Sequence, residues 1–432
     1  MDNLSNFEKI LLVVFGFLAA LGLLAFSTYK TNNSGGSDIE VVVWGNLDKM
    51  SFDNFISTVM DEQNKKLNIK YVQKNYDTLD NDLLESIASG VAPDTVILSN
   101  EFIKKYSDKI YPISYETLPE RTFKDTYIQE AELLLRQDGI FGVPFFVDPL
   151  IMYWNRDMFA SAGIANPPEK WSEFPLLASK LSKTDSNANI IKSFVSFGEY
   201  RNVNNIKGLL SSLIIQTGNP IVNYKDGKFK SYLLSESSNS NFGDVSSAIS
   251  FFTEYSNPKK SVYSWNRSLP FSKQSFLSED LSIYFGMSSE YNSIKQKNPN
   301  LNFDISLLPQ VVDTKAKSTF GDFYSFIFLK NSKNLLNTYN VVSYITGSES
   351  IKVFLKNFDL APARKDIISL GTNDPVKNIF YKSALISKGW IDPDTKKTDQ
   401  IFQNMIEDIT TGKLQVSDSV KKAGTEMNYL LQ

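Results

Sequence analysis

Two short polar segments follow apolar runs that read as buried strands, residues 41–44 and 96–98. The segments supply the side chains of Asn46, Asp48, Lys49, Ser99, Asn100 and Glu101. Carboxylates, amides and an ammonium group can together form several hydrogen bonds to one polar solute. Because ligands of open parallel sheets bind beyond the carboxyl ends of the strands, this spacing predicts a solute site there. The alternatives are a solvated loop after the first run and a helix N-cap after the second.

Alternating apolar patterns predict the elements that position these segments. Apolar residues recur at helical spacing over 52–60 and 79–87, and residues 69–72 form a further short apolar run. Together with the runs at 41–44 and 96–98, the order is strand, helix, strand, helix, strand. This order indicates a parallel sheet with helices on both faces.

Two residue types are missing from the sequence of 432 residues, and their absence restricts its chemistry. Without cysteine there are no disulfides, thiol nucleophiles or thiolate metal sites. Without histidine there is no Ser-His-Asp triad and no imidazole acid–base catalysis. The net charge of −3 gives no electrostatic support for nucleic acid binding. We therefore expect no metal, no cofactor and no nucleic acid partner.

One kind of hydrolytic site needs neither of the missing residues. Glycosidases use a pair of carboxyl groups, which stand about 5–5.5 Å or 6.5–9.5 Å apart across the sugar bond. Asp148 and Glu101 are a pair that this sequence offers. A surface glycosidase is therefore the alternative to a protein that only binds its solute.

An apolar segment near the N-terminus, residues 10–26, approaches the length of a membrane span. As a helix it is about 26 Å long, close to the ~30 Å hydrocarbon core, and the residues after it can extend it. A cleaved secretory signal is the alternative, with residues 25–27 as the cleavage site. The length favours an uncleaved anchor over 10–29, between a cytoplasmic N-terminus at 1–9 and a linker at 30–38. We thus expect a single-pass protein of the cell membrane, with its soluble domain on the extracellular or periplasmic side.

The segment 139–174 contains the most informative motifs of the chain. They are G-x-x-G-x-P, then YWNRDMF, then AGI followed by PP, and then WSEF. Further motifs are SGVAPD at 89–94 and GKLQVSDSVKKAGTEM at 412–427. In this order and spacing they resemble the family 1 extracellular solute-binding proteins, the maltose-binding-protein-like group that supplies ABC transporters. The sequence departs from the family pattern at Glu279 and Ser282, where the family usually has Gly and Ala.

The resemblance implies an α/β protein with the two-lobed periplasmic-binding-protein-like fold of type II. Its sheets are rich in parallel strands with helices on both faces, and three crossings of the chain leave a hinged ligand cleft between the lobes. We expect residues 39–147 and 309–347 to form the N-terminal lobe, and residues 150–303 and 350–432 the C-terminal lobe. The implied function is capture of a small solute and its delivery to an ABC transporter permease by a monomer that is not an enzyme. The residue types favour a carbohydrate, with a peptide, a polyamine or an anion as alternatives.

The resemblance also implies which side chains face the cleft. Asp148 matches a cleft-facing acid in the first crossing, and Glu101 matches a loop position where an acid often contacts the solute. The remaining candidates lie in segments that the family uses for ligand contact: Glu199, Tyr200, Ser289, Tyr291, Asp322 and Tyr324. Trp390 can act as a stacking platform for a sugar ring, with packing in the core as the alternative.

Overall fold

The computed structural model of the chain describes residues 40–63, 66–187, 189–225, 227–234, 243–312 and 316–432. The predicted anchor and linker, residues 10–38, lie outside these ranges. Within the described ranges, no helix combines the length and the apolar character that crossing a membrane requires.

Strands and helices alternate along most of the described chain. The strands are β1 (Val41–Gly45), β2 (Ile69–Gln73), β3 (Thr95–Ser99), β4 (Leu135–Arg136), β5 (Gly139–Ile140), β6 (Val143–Asn155), β7 (Lys183–Thr184), β8 (Ile190–Val195), β9 (Val222–Lys225), β10 (Lys228–Ser231), β11 (Leu281–Met287), β12 (Phe303–Ser306), β13 (Gly321–Phe328) and β14 (Ala361–Pro362). The α-helices are α1 (Lys49–Gln63), α2 (Tyr76–Ser89), α3 (Glu120–Thr126), α4 (Arg156–Ser161), α5 (Phe174–Leu181), α6 (Ile206–Gln216), α7 (Val245–Thr253), α8 (Ser272–Leu277), α9 (Glu290–Lys297), α10 (Leu335–Ile345), α11 (Ser348–Asn357), α12 (Lys365–Ser369), α13 (Pro375–Leu385), α14 (Thr395–Thr410) and α15 (Val416–Leu431). Short 3-10 helices lie at Asn100–Phe102, Gln129–Leu134, Trp171–Glu173 and Glu254–Ser256.

The first three strands form the parallel unit that the sequence predicts. β1 pairs in parallel with both β2 and β3, and α1 and α2 connect them. The side chain of Asn75 caps α2 by accepting a hydrogen bond from the backbone N–H of Asp77. Gly90 ends the same helix in the left-handed conformation, with φ of 75°. Because the strands are parallel, their carboxyl ends lie at one edge of the sheet.

The long strand β6 lies at the centre of the sheet, between β13 and β11, and all 13 of its residues are buried. Its first part, up to Pro149, pairs with β13 and β14. Its second part, from Leu150 onwards, pairs with β11 and β12. β6 therefore joins β2-β1-β3-β13 to β11-β8-β7 in one hydrogen-bonded path. We call the elements on the two sides of this junction the first half and the second half.

The segment after α10 packs on the first half. α11 contacts α1, and β14 pairs with the first part of β6. Phe354 of α11 lies against Phe145 of β6, with ring centroids 4.3 Å apart. Residues 348–362 thus contact the first half, although the predicted C-terminal lobe includes residues from 350 onwards. The apolar spacing of a helix shows that one face is buried but not which surface covers it.

The second half has an aromatic core that supports β8, β11 and α6. The rings of Phe174, Phe197 and Phe285 contact one another, with centroids 5.6–6.5 Å apart. All three rings are buried, and burying each one contributes about 1.5–3 kcal/mol relative to leaving it in water. α15 closes this half by packing against α14, α7 and β10.

Candidate functional site

A cleft of about 620 Å³ lies between the two halves, beyond the carboxyl end of β3. From the first half, the start of α2, the segment after β3 and the start of β13 line it. From the second half, the start of α6, the end of β11 and the start of α14 line it. The lining side chains are those of Tyr76, Asp77, Asp80, Asn81, Glu101, Phe102, Asn205, Ile206, Lys207, Met287, Phe320, Asp322, Thr395, Lys396 and Asp399. The cleft is at the end of the parallel strands, where ligands of open α/β sheets bind.

Glu101 and Lys207 approach each other from opposite sides of the cleft. Glu101 is the second residue after β3, and its Oε1 lies 4.0 Å from Nζ of Lys207 in the first turn of α6. The hydroxyl of Tyr76 donates to the other oxygen of Glu101, at 3.2 Å. Burial raises the pKa of Glu101 above its usual value, and the ammonium group of Lys207 opposes this shift. The pair therefore joins the two halves by a partly desolvated ionic contact.

Lys207 has a second acidic partner, the carboxylate of Asp392, which accepts a hydrogen bond from its Nζ. Burial acts to lower the pKa of Lys207, but Asp392 and Glu101 raise it above its usual value. Asp392 is itself held by the hydroxyl of Thr398, which donates to it at 2.9 Å. The ammonium group is thus fixed and stays charged at neutral pH.

Asp148 and Asp322 are cross-strand neighbours on β6 and β13. Asp148 accepts hydrogen bonds from the hydroxyl of Ser288 at 2.8 Å and from the backbone N–H of Ser289 at 2.9 Å. Oδ1 of Asp322 has no hydrogen-bond partner among the described residues. Burial raises the pKa of Asp322 well above its usual value, and Glu101 and Asp148 raise it further. Asp322 therefore retains its proton at a higher pH than an exposed Asp, so its carboxyl group can act as a hydrogen-bond donor.

Three predicted residues after β1 do not line the cleft. Asp48 accepts hydrogen bonds from the backbone N–H and the hydroxyl of Ser51, both at 2.8 Å, and these lower its pKa. Lys49 pairs with Asp53 one turn later in α1. These contacts place Asp48 and Lys49 at the exposed start of a helix. Asn46 is partly buried, and its Oδ1 has no hydrogen-bond partner among the described residues.

The predicted residues Ser99, Asn100 and Tyr324 lie behind the cleft wall. Ser99 and Asn100 are both buried. Oδ1 of Asn100 accepts from the backbone N–H of Phe323 at 3.1 Å, which ties the end of β3 to β13. The ring of Tyr324 stacks on Phe146, with centroids 4.5 Å apart and planes 14° from parallel. These side chains support the positions of Glu101 and Asp322.

The predicted residues of the second half lie at varying distances from the cleft. The hydroxyl of Tyr200 donates to Asp399, a lining residue, at 2.6 Å. Glu199 instead pairs with Arg267 at 3.3 Å, and it is not a lining residue. Ser289 donates its backbone N–H to Asp148, and neither of these two predicted residues is a lining residue. Tyr291 packs between two rings of the core, Phe303 and Phe380, at 5.5 Å and 6.2 Å.

Trp390 is buried, with 3% of its surface exposed, and it is not a lining residue. Its Nε1 donates to the hydroxyl of Ser211 at 3.0 Å, and its ring lies 6.2 Å from that of Phe402. Nζ of Lys207 lies over the same ring, 5.5 Å from its centroid. The indole therefore packs in the core and supports Lys207.

Sequence reasoning missed several lining residues, Lys207 and Asp399 among them. Tyr76 follows β2, so the rule that selected Glu101 would also have found it. Asn205 ends a polar patch at 198–205. Its backbone is left-handed, with φ of 54°, and the sequence does not reveal this conformation. Lys207 lies just beyond this patch, in an apolar helical run. Asp399 carries no local signal, because α14 reaches the cleft only through its packing in the fold.

The cleft contains carboxyl groups but no metal site that the structure identifies. Among the described residues, no group of three or more Asp or Glu side chains is arranged to hold a metal ion. The arrangement instead offers acceptors, one fixed ammonium group and aromatic edges to an organic solute.

Comparison with known proteins gives relatives over the full length. A protein of Brucella abortus (strain 2308), provisionally named as a binding protein, is 22% identical over 430 residues, which cover 96% of this chain and 98% of that protein. A protein of Brucella suis biovar 1 with the same kind of name matches equally well. An uncharacterized lipoprotein of Streptomyces antibioticus is 27% identical over 119 residues, 26% of each chain.

Solved structures share the fold at low sequence identity. A cyclo/maltodextrin-binding protein complexed with maltotetraose superimposes with a TM-score of 0.73 at 16% identity, covering 92% of this chain and 99% of that one. An ABC transporter solute-binding protein of Thermotoga lettingae, bound with α-D-tagatose, gives a TM-score of 0.69 at 16% identity, covering 91% and 100%. These likenesses confirm the two-lobed α/β fold.

The profile of one protein family matches residues 51–350, which are more than two thirds of the chain. This match confirms the resemblance that the motifs indicated. The chain belongs to the bacterial extracellular solute-binding proteins.

Proposed function

We propose that this protein captures a carbohydrate in the cleft between its two lobes and delivers it to an ABC transporter permease. The observation that carries the proposal is the convergence of polar groups from both halves on one cleft. Glu101 and Asp322 come from the first half, and Lys207 from the second. A solute with many hydroxyls can accept from Lys207 and donate to Glu101 at the same time.

The residue types around the cleft suit a sugar better than an anion. Tyr76, Phe102 and Phe320 bring aromatic carbon to the cleft, which can cover the apolar C–H face of a sugar ring. Even without Asp322, whose pKa is raised, the described lining residues include four acids against two lysines and no arginine, so an anionic solute would meet net repulsion. The volume of about 620 Å³ lies within the roughly 300–1,000 Å³ typical of small-molecule sites. The maltotetraose and α-D-tagatose in the two solved structures support the same class of solute.

A hinge at the junction of the two halves completes the proposed mechanism. We infer lobes close to 39–147 plus 309–347 and 150–303 plus 350–432, except that residues 348–362 belong with the first lobe, which they contact. The solute contacts Glu101 and Lys207 together only when the lobes lie close, so binding favours a closed form. In this proposal the closed protein, a monomer held to the membrane by residues 10–29, presents the solute to the permease.

The position of Asp148 supports binding rather than hydrolysis. Its Oδ1 accepts from Ser288 and Ser289, and it is 8% exposed, so it acts as a buried acceptor that holds the turn after β11. The family and the solved neighbours are binding proteins as well. We therefore propose a receptor without hydrolytic activity.

A panel of mono- and oligosaccharides, peptides, polyamines and organic anions, screened by thermal shift, tests the class of solute. Binding to the folded state stabilises it by RT ln(1 + [L]/Kd), so a true ligand raises the melting temperature in a concentration-dependent way. We expect a hit among the sugars. Stabilisation by peptides or anions alone would contradict the carbohydrate proposal.

The variant Glu101→Gln then locates the site by calorimetry with the sugar that binds. Because it removes a hydrogen bond to a charged group, we expect affinity to fall by about 10–150-fold, equivalent to about 1.5–3 kcal/mol. Asp61→Asn is the matched control, since Asp61 is exposed on α1 and does not line the cleft. Equal affinities for the two variants would exclude Glu101 from the site.

A further inference from the structure

A second cavity, of about 470 Å³, shares no lining residue with the cleft. Its walls come from the segment between Gln129 and Arg136, from the hairpin β9–β10 and from residues 388–391. The hairpin belongs to the second half, whereas β4 and the 3-10 helix before it precede β6 on the first-half side. The cavity therefore lies at another junction of the two halves.

Arg136 is a cation without an acidic partner in this cavity. No carboxylate of the described residues lies within salt-bridge distance of its guanidinium group. Its Nη1 donates to the carbonyl of Leu135 at 2.7 Å, which leaves Nε and Nη2 without an acceptor in the described structure. The guanidinium carbon lies 5.6 Å from the ring centroid of Tyr224 and 5.4 Å from that of Phe229. A half-buried guanidinium group that keeps free N–H donors beside flat rings can receive a planar anion.

The buried acid of the cavity does not neutralise Arg136. Glu130 is 4% exposed, and the hydroxyl of Ser387 donates to its Oε2. Its Oε1 has no hydrogen-bond partner among the described residues. Burial raises the pKa of Glu130 to about 8, so the side chain is mostly uncharged at pH 7. An uncharged Glu130 does not repel an anion in the cavity.

The other charged groups of the cavity leave a positive balance. Lys388 lines the cavity and has no acidic partner within salt-bridge distance in the described structure. Glu132 also lines it, but Lys124 lies 3.8 Å from its carboxylate. With Glu130 uncharged, the two lining cations Arg136 and Lys388 outnumber the one lining acid that stays charged, Glu132.

We propose that this cavity is a second ligand site, which takes a small organic carboxylate with a flat apolar part. The guanidinium fork of Arg136 binds the carboxylate, and the ammonium group of Lys388 adds to the attraction. The rings of Tyr224 and Phe229 contact the apolar part. The site is independent of the proposed sugar site, because the two share no residue.

Benzoate tests this proposal, with benzamide as its uncharged counterpart of similar shape. We expect calorimetry to detect benzoate binding to the intact protein, and benzamide binding to be at least about 10-fold weaker. Binding of the two with equal affinity, or no benzoate binding at about 10 mM, would overturn the proposal.

Substitutions locate the site. We expect Arg136→Gln to weaken benzoate binding by about 10-fold or more and Lys388→Gln by less, with melting temperatures recorded to show that both variants fold. Arg121→Gln is the matched control, because Arg121 is exposed and lies outside the cavity. Asp322→Leu in the cleft should leave benzoate binding unchanged. If Arg136→Gln and Lys388→Gln both keep full affinity, the cavity is not the site.

Discussion

Asp148 and Asp322 are paired on adjacent strands, yet their carboxyl groups differ in hydrogen bonding. Asp148 receives two hydrogen bonds, from Ser288 and Ser289, whereas Oδ1 of Asp322 receives none from the described residues. Burial raises the pKa of both carboxyl groups, and in Asp322 the neighbouring acids raise it further. One strand pair thus holds a hydrogen-bonded acceptor beside a carboxyl group whose pKa burial and neighbouring acids raise.

A pair of substitutions tests the protonation of Asp322 in solute binding. If the carboxyl group is protonated and donates to the solute, Asp322→Asn keeps a donor and should change sugar affinity little. Asp322→Leu keeps the size but removes the hydrogen bond, and we expect affinity to fall by about 2–12-fold, equivalent to about 0.5–1.5 kcal/mol. Calorimetry at pH 7 measures both. If the Asn variant loses as much affinity as the Leu variant, Asp322 acts as an ionised acceptor.

Among the charged residues of the cleft, substitution of Lys207 should lower the unfolding free energy most. Lys207→Met leaves Asp392 buried without its cation, and we expect unfolding free energy to fall by about 3–5 kcal/mol. Chemical denaturation measures this change. Lys49→Met is the control, because it removes an exposed pair with Asp53 and should change stability little. A loss for Lys207→Met no larger than that for the control would show that the buried pairs do not stabilise the fold.

Removing the buried acceptor Asp148 should loosen the turn after β11. We expect Asp148→Ala to lower the unfolding free energy by about 1–3 kcal/mol, because Ser288 and Ser289 lose a buried partner. Ser288→Ala removes only one of the two hydrogen bonds, so its loss should be about 0.5–1.5 kcal/mol. Denaturant titration of both variants measures which one loses more unfolding free energy. A larger loss for Ser288→Ala would mean that Asp148 does not hold the turn.

Because Glu130 is buried, its ionisation should lower the unfolding free energy as the pH rises. Its folded pKa, about 8, lies above the unfolded value near 4.5, so the folded state holds a proton that the unfolded state has lost. Its contribution is complete below the unfolded pKa and is lost as the pH rises through about 8. The slope in that window is at most about 1.4 kcal/mol per pH unit.

Unfolding curves between pH 5 and 9, recorded for Glu130→Gln, isolate this contribution. The amide cannot ionise, so the variant should lose less stability than the parent protein over this range. Glu116→Gln, at an exposed position, is the control and should follow the parent protein. A pH profile of Glu130→Gln identical to that of the parent would show that Glu130 is not the responsible group.

Local patterns were enough to predict the first strands of the fold. The apolar runs at 41–44, 69–72 and 96–98 correspond to β1, β2 and β3, because short strands can be recognised from their apolar composition. The pairing of β6 with β13 joins residues far apart in the chain, and no local pattern encodes it. The contact of α11 with α1 of the first half has no local signal for the same reason.

Site residues could be predicted where they follow the end of a strand. They could not be predicted where tertiary packing brings the side chain to the cleft. Glu101 follows β3 and lines the cleft, as the strand-end rule indicates. Asp48 follows β1 by the same rule, but Ser51 lies three residues later and offers it two donors, so it caps a helix instead. Lys207 reaches the cleft because α6 begins there, and Trp390 turns into the core to meet Ser211.

The width of the cleft, measured with and without sugar, tests the central claim most directly. α2 and α14 line the cleft from opposite sides, and Leu84 and Gln400 are exposed positions on them. Because the chain has no cysteine, Leu84→Cys and Gln400→Cys together provide the only two sites for spin labels. Double electron–electron resonance then gives the distance between the helices. We predict that saturating sugar shortens and narrows this distance distribution; an unchanged distribution in the presence of bound sugar would contradict capture by closure of the lobes.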